Sequence, residues 1–134
     1  MVTAENLVYS RAAASRILGL AYREVAEVRP FADAVWVYLP GYRPRRMSKK
    51  PFEQHFVERR RKEALKLTVE QVADGEYVVS NPEKGSSYSV WHLPEGLECD
   101  CHDWKNQATF TSETPRCKHV YAVLNHLSSP ALTA

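Results

Sequence analysis

The sequence predicts an α+β fold, on three observations. Two segments with helical spacing of apolar residues flank a pair of strand-like runs. Four further runs that alternate or are β-branched follow in succession, with turn residues between them. The chain then closes on an amphipathic helix. The predicted order is N-terminal helix, β-hairpin, basic helix, antiparallel meander, metal-bound loop and C-terminal helix.

"AENLVYSRAAASRILG" is alanine-rich, carries Leu7, Ala14, Ile17 and Leu18 near helical spacing, and ends on Gly19 as a stop signal. "YREVAEV" and "AVWVYLP" read as strands, with "RPFAD" as the hairpin connection. "GYRPRRMSKKP" holds two prolines and a glycine and reads as a loop. In "KPFEQHFVERRRKEALK", Pro51 suits a first helical turn, and Phe52, Phe56, Ala64 and Leu67 form an approximate apolar face. The meander is "LTVEQV", "EYVVSN", "SYSVWHL" and "GLECD", separated by "ADG" and "NPEKG". In "CKHVYAVLNHL", Val120, Val123, Leu124 and Leu127 suit a helix docked on a core.

With 134 residues, 44% of them hydrophobic, the chain suits one compact unit. Residues 1–70 form its helix, hairpin and basic-helix part, and residues 71–134 a cysteine-bearing module. A core of this size gains from a metal staple. No apolar segment follows a basic N-terminus, and the longest apolar run, "AVWVYL", is too short to cross a bilayer. The expectation is a soluble cytoplasmic protein with no membrane partner. An odd count of three cysteines argues against a secreted disulfide framework.

All three cysteines fall in "ECDCHDWKNQATFTSETPRCKHVYAVL". Cys99, Cys101, Cys117 and His119 make C-x-C-x15-C-x-H, a donor set that suits one structural Zn²⁺. In extended chain, residues i and i+2 point to one side, so Cys99 and Cys101 can share an ion at a strand end. On a helix, i and i+2 diverge by about 200°. Pro115 keeps the preceding chain non-helical, so Cys117 approaches from a loop and His119 from the first turn. His102 and His126 are the alternative fourth ligands.

This pattern resembles the SWIM zinc finger, over about residues 75–127. "YVVSNPEKGSSYSVWHLPEGLECDCHDW" is similar to that family's meander running into its first ligand pair. Asp103-Trp104 stands at the family's acidic–aromatic step. The 15-residue linker departs from the family in being long, and "NQATFTSET" reads as its polar tip. The resemblance implies a module that binds DNA or proteins in recombination, transposition or chromatin-related factors.

The net charge of +2 conceals segregation. Residues 43–66 hold ten basic and three acidic groups, net +7; residues 67–134 hold four basic and nine acidic, net −5. An acidic finger repels phosphate, so the basic segment is the candidate nucleic-acid contact, with DNA favoured over RNA. Its residues are Arg43, Arg45 and Arg46 on a loop, then Lys49, Lys50, Arg59 and Arg60. Glu58 with Lys62 and Arg59 with Glu63 also suit an ordinary solvated helix. Trp36 and Tyr38 share one strand face and offer stacking surfaces beside those arginines; a core face is the plainer reading. No P-loop, G-x-S-x-G or H-E-x-x-H is present, and zinc would occupy every thiol, so no catalysis is expected. The alternative is an adaptor that docks its zinc module, with Phe110 on the tip, onto a larger DNA-processing enzyme. In a third arrangement the +7 and −5 segments pair with each other, within one molecule or between copies.

Overall fold

The structure is a computed structural model that describes residues 7–111 and 113–128. It is α+β, as the sequence predicts, with two antiparallel sheets. The chain divides into two compact units, Met1–Glu58 and Arg59–Ala134.

The first unit contains α1 (Arg11–Leu18), a 3-10 turn (Tyr22–Glu24), and strands β1 (Glu27–Pro30), β2 (Val35–Tyr38) and β3 (Arg45–Met47). Helix α2 (Lys50–Ala64) starts in this unit. The single helix expected from residue 4 is interrupted. Residues 7 and 8 are helical, and Tyr9 and Ser10 are not. The Ser10 hydroxyl accepts the Ala13 N–H at 3.0 Å, and this N-cap begins α1 afresh. Residues 4–6 of that expectation lie outside the described residues. At the other end Gly19, at φ 71°, closes α1 as predicted.

The hairpin forms, but β1 starts later than "YREVAEV" suggests, because Tyr22–Glu24 winds into the 3-10 turn. The loop expected around Arg45 is a third strand, giving the order β1-β2-β3. Met47 lies opposite Val35 and packs on the core, which draws this segment into the sheet. That core is Ala13, Ala14, Val25, Val35, Val37 and Phe52.

The second unit is the predicted meander, β4 (Thr68–Ala73), β5 (Glu76–Asn81), β6 (Ser86–Leu93) and β7 (Gly96–Cys99), paired in that order. Residue 70, where the sequence reading divides the chain, falls inside β4, whose pairing with β5 keeps residues 68–73 in this unit. Gly75 turns β4 into β5 at φ +70°, and a Cβ there would lie 3.1 Å from the His92 carbonyl. The linker is not a polar tip: it holds helix α3 (His102–Phe110). Helix α4 (Lys118–Ser128) lies against all four strands and buries Val120, Tyr121, Ala122 and Val123 toward Tyr77, Val79 and Val90. Among the described residues, no helix is long and apolar enough to cross a membrane.

Candidate metal centre

Three chain segments converge on one point. Cys99 ends β7 opposite Val90, on the sheet face that also carries Tyr77. Cys101 is the N-cap of α3, where its sulfur accepts the Trp104 N–H at 3.4 Å. Cys117 directly precedes α4, and its carbonyl accepts the Tyr121 N–H at 3.0 Å. His119 follows in the first turn of α4, with Tyr88 tilted against its ring at 4.6 Å between centroids. All four side chains are buried, and their donor atoms lie within 4.8 Å of one another. The predicted arrangement of one pair at a strand end and one at a helix start is what the chain adopts.

These residues can hold one metal ion. A tetrahedral ion with bonds of about 2.1 Å to nitrogen and 2.3 Å to sulfur sets N···S edges of about 3.6 Å. Cys117 Sγ and His119 Nδ1 stand 3.6 Å apart. The donor set and its spacing are therefore compatible with zinc. The thiols also act on one another. Hydrogen bonds from Cys117 and Cys99 hold the Cys101 thiol far below its ordinary range. The bond to Cys101 pushes Cys99 up to about 12 and raises Cys117 strongly. Three sulfurs this close become thiolates together only when a cation shares the site. The starts of α3 and α4 add N-terminal dipoles that favour negative sulfur. The alternative ligands lie elsewhere: His102 is exposed, and His126 packs edge-on to Tyr77 at 6.0 Å.

A polar clamp holds the two ligand pairs together, and local sequence reading missed it. Gln107, 3% exposed, sits one turn after Asp103 on α3. Its amide nitrogen donates to Asp103 at 3.2 Å and to the Arg116 carbonyl at 3.1 Å, and its oxygen accepts the Arg116 N–H at 2.8 Å. Arg116 precedes Cys117, so Gln107 ties the second ligand pair to the helix that the first pair begins. The visible signal was Asp103 and Gln107 at i, i+4, with Gln107 inside the segment read as a tip. Replacing Gln107 with Ala takes this partner from the part-buried N–H and carbonyl of Arg116. The expected cost is about 1–3 kcal/mol of stability, with weaker metal binding, read by thermal melts and competitive chelator titration.

Arg60 takes a different part from the nucleic-acid contact expected of it. It forks onto Asp103 with two bonds of 2.8 Å, and its side chain is only 17% exposed. A half-buried bidentate fork is committed to the fold. Arg61 lies over the Tyr121 ring at 5.5 Å. Of the other predicted contacts, Arg43, Arg45, Arg46, Lys50 and Arg59 are exposed, whereas Lys49 is half-buried with its Nζ 5.2 Å from the Tyr9 ring. Trp36 and Tyr38 are half-buried on the face of β2 opposite the fully buried Val35 and Val37. Phe110 is half-buried at the end of α3. No protein-family model, curated protein or solved structure matches the chain.

Proposed function

We propose that this protein is a non-catalytic nucleic-acid-binding accessory factor whose second unit is a zinc module of SWIM type. Four protein donors fill a tetrahedral coordination sphere, which leaves zinc a structural role and no position for substrate. The observation that carries the nucleic-acid reading is the exposure of Arg43, Arg45, Arg46 and Lys50 along and beside β3. Arg46 meets only a long 3.5 Å pairing with the exposed Asp33, and such a surface pair opens at little cost. Guanidinium groups on a strand and its approach suit phosphate forks.

Fluorescence anisotropy across a salt series tests the reading. The triple variant Arg43→Gln, Arg45→Gln, Arg46→Gln is expected to bind oligonucleotides more weakly and to lower the salt slope by about 2 to 3 counterions. An unchanged affinity and slope would remove these residues from the interface. Absence of binding to any nucleic acid at low salt would move the reading to a protein-docking adaptor.

A further inference from the structure

Resting on the nucleic-acid reading, we infer that the outer face of the three-stranded sheet is a stacking platform for unpaired bases, so that the ligand is a single strand. Residues directly opposed across antiparallel strands share a face. Arg29 on β1 and Arg46 on β3 both stand opposite Trp36, and Glu27 stands opposite Tyr38. Val35 and Val37 take the other face, into the core, and neither Trp36 nor Tyr38 belongs to that core. The outer face thus presents an arginine–tryptophan–arginine row beside a tyrosine. The Arg29 guanidinium lies 5.4 Å from the Tyr38 ring centroid.

Two further aromatics lie at the ends of β2. Phe31, in the β1–β2 connection, is 50% exposed, and Tyr42, in the β2–β3 connection beside Arg43, is 78% exposed. Rings so exposed contribute little to folding, while a base stacked on each would bury them. Trp36 and Tyr38 are two residues apart on an extended strand, about 7 Å. The face also carries two carboxylates, Glu27 and Asp33. Glu27 is held by Arg29 at 2.7 Å and Asp33 by Arg46 at 3.5 Å, both in exposed pairs. Charge complementarity to phosphate comes from Arg46 in the row and from Arg43 beside Tyr42, whereas Arg45, opposite Val37, takes the other face. A duplex keeps its bases stacked inside, so aromatic faces gain nothing from it. A single strand offers both bases and phosphates.

The test uses the zinc-loaded full chain and four probes of about 15 nucleotides: oligothymidylate, oligouridylate, an abasic strand with the same phosphates, and a duplex. The expected result is that the base-bearing strands bind at least about 10-fold tighter than the abasic strand and the duplex. Oligodeoxyuridylate, which shares its base with oligouridylate and its sugar with oligothymidylate, then separates a preference for the sugar from one for the thymine methyl. Tyr42→Ala and Trp36→Ala should each weaken single-strand binding by about 5- to 150-fold without changing the salt slope, and Trp36→Phe should retain binding. Tyr42 is exposed enough to be removed without disturbing the core, so the test survives if Trp36→Ala loosens the sheet. Equal binding of abasic and base-bearing strands, or full binding by Tyr42→Ala and Trp36→Phe alike with no loss in Trp36→Ala, would overturn the platform and leave the phosphate reading standing. No binding to any probe would overturn both.

Discussion

Replacing Cys117 with Ser, or stripping the metal with a chelator, is expected to unfold most of the second unit. Cys117 is fully buried and stands where the chain enters α4, the helix that covers the sheet. Structural zinc sites of this class contribute on the order of 10–16 kcal/mol near neutral pH, and that binding energy is folding energy. A small unit whose core includes the three candidate ligands Cys99, Cys101 and Cys117 has little else to offset the loss. Circular dichroism should show loss of helix and a shifted sheet signal, and a zinc-sensitive dye should report one equivalent released. Acid should act in the same direction. The metal ligand is the thiolate, so metal entry must displace thiol protons from the cysteines. Affinity should therefore fall with falling pH. A Cys117→Ser variant that melts like the parent and keeps its zinc would exclude this centre.

In the first unit the largest effect should come from Phe52→Ala, at about 3–5 kcal/mol. Phe52 is wholly buried at the start of α2, meets the Tyr9 ring edge-on at 5.8 Å, and belongs to the core beneath β2. Truncation leaves a cavity against Val25, Val35 and Val37, none of which reaches solvent. Denaturant melts followed by tryptophan fluorescence should shift to a lower midpoint. Zinc content at room temperature should stay at one equivalent, because every ligand lies in the second unit. If the variant also released its zinc, the two units would be unfolding as one. Loss of this core would also unseat the strand that carries Trp36 and Tyr38, so under the proposed nucleic-acid reading affinity should fall in step with the unfolded fraction.

The sequence by itself determined what depends on neighbours a few residues away. The meander and its turns followed from alternation and from Gly75 and "NPEKG", because a half-buried strand repeats every two residues. The placing of Val35 and Val37 on one face and Trp36 and Tyr38 on the other followed from the same period, but not which of the two faces turns inward. The four donors of the metal centre were legible because sulfur and imidazole at i, i+2 spacing fit a strand end and a helix start. Tertiary structure alone decided the rest. "RRM" carries no local strand signal, and it pairs because Met47 finds the core opposite Val35. The segment read as a tip winds into α3, with the Cys101 sulfur as its cap and Gln107 locked onto the Arg116 backbone. Arg60 reads as one more cation in a basic run until Asp103, 43 residues away, meets it. Arg29 comes to stand beside Trp36 only through strand register. Periodicity records which way a side chain points within its own element. Which residue waits opposite is set by contacts between distant segments, and those exist only once the chain has folded.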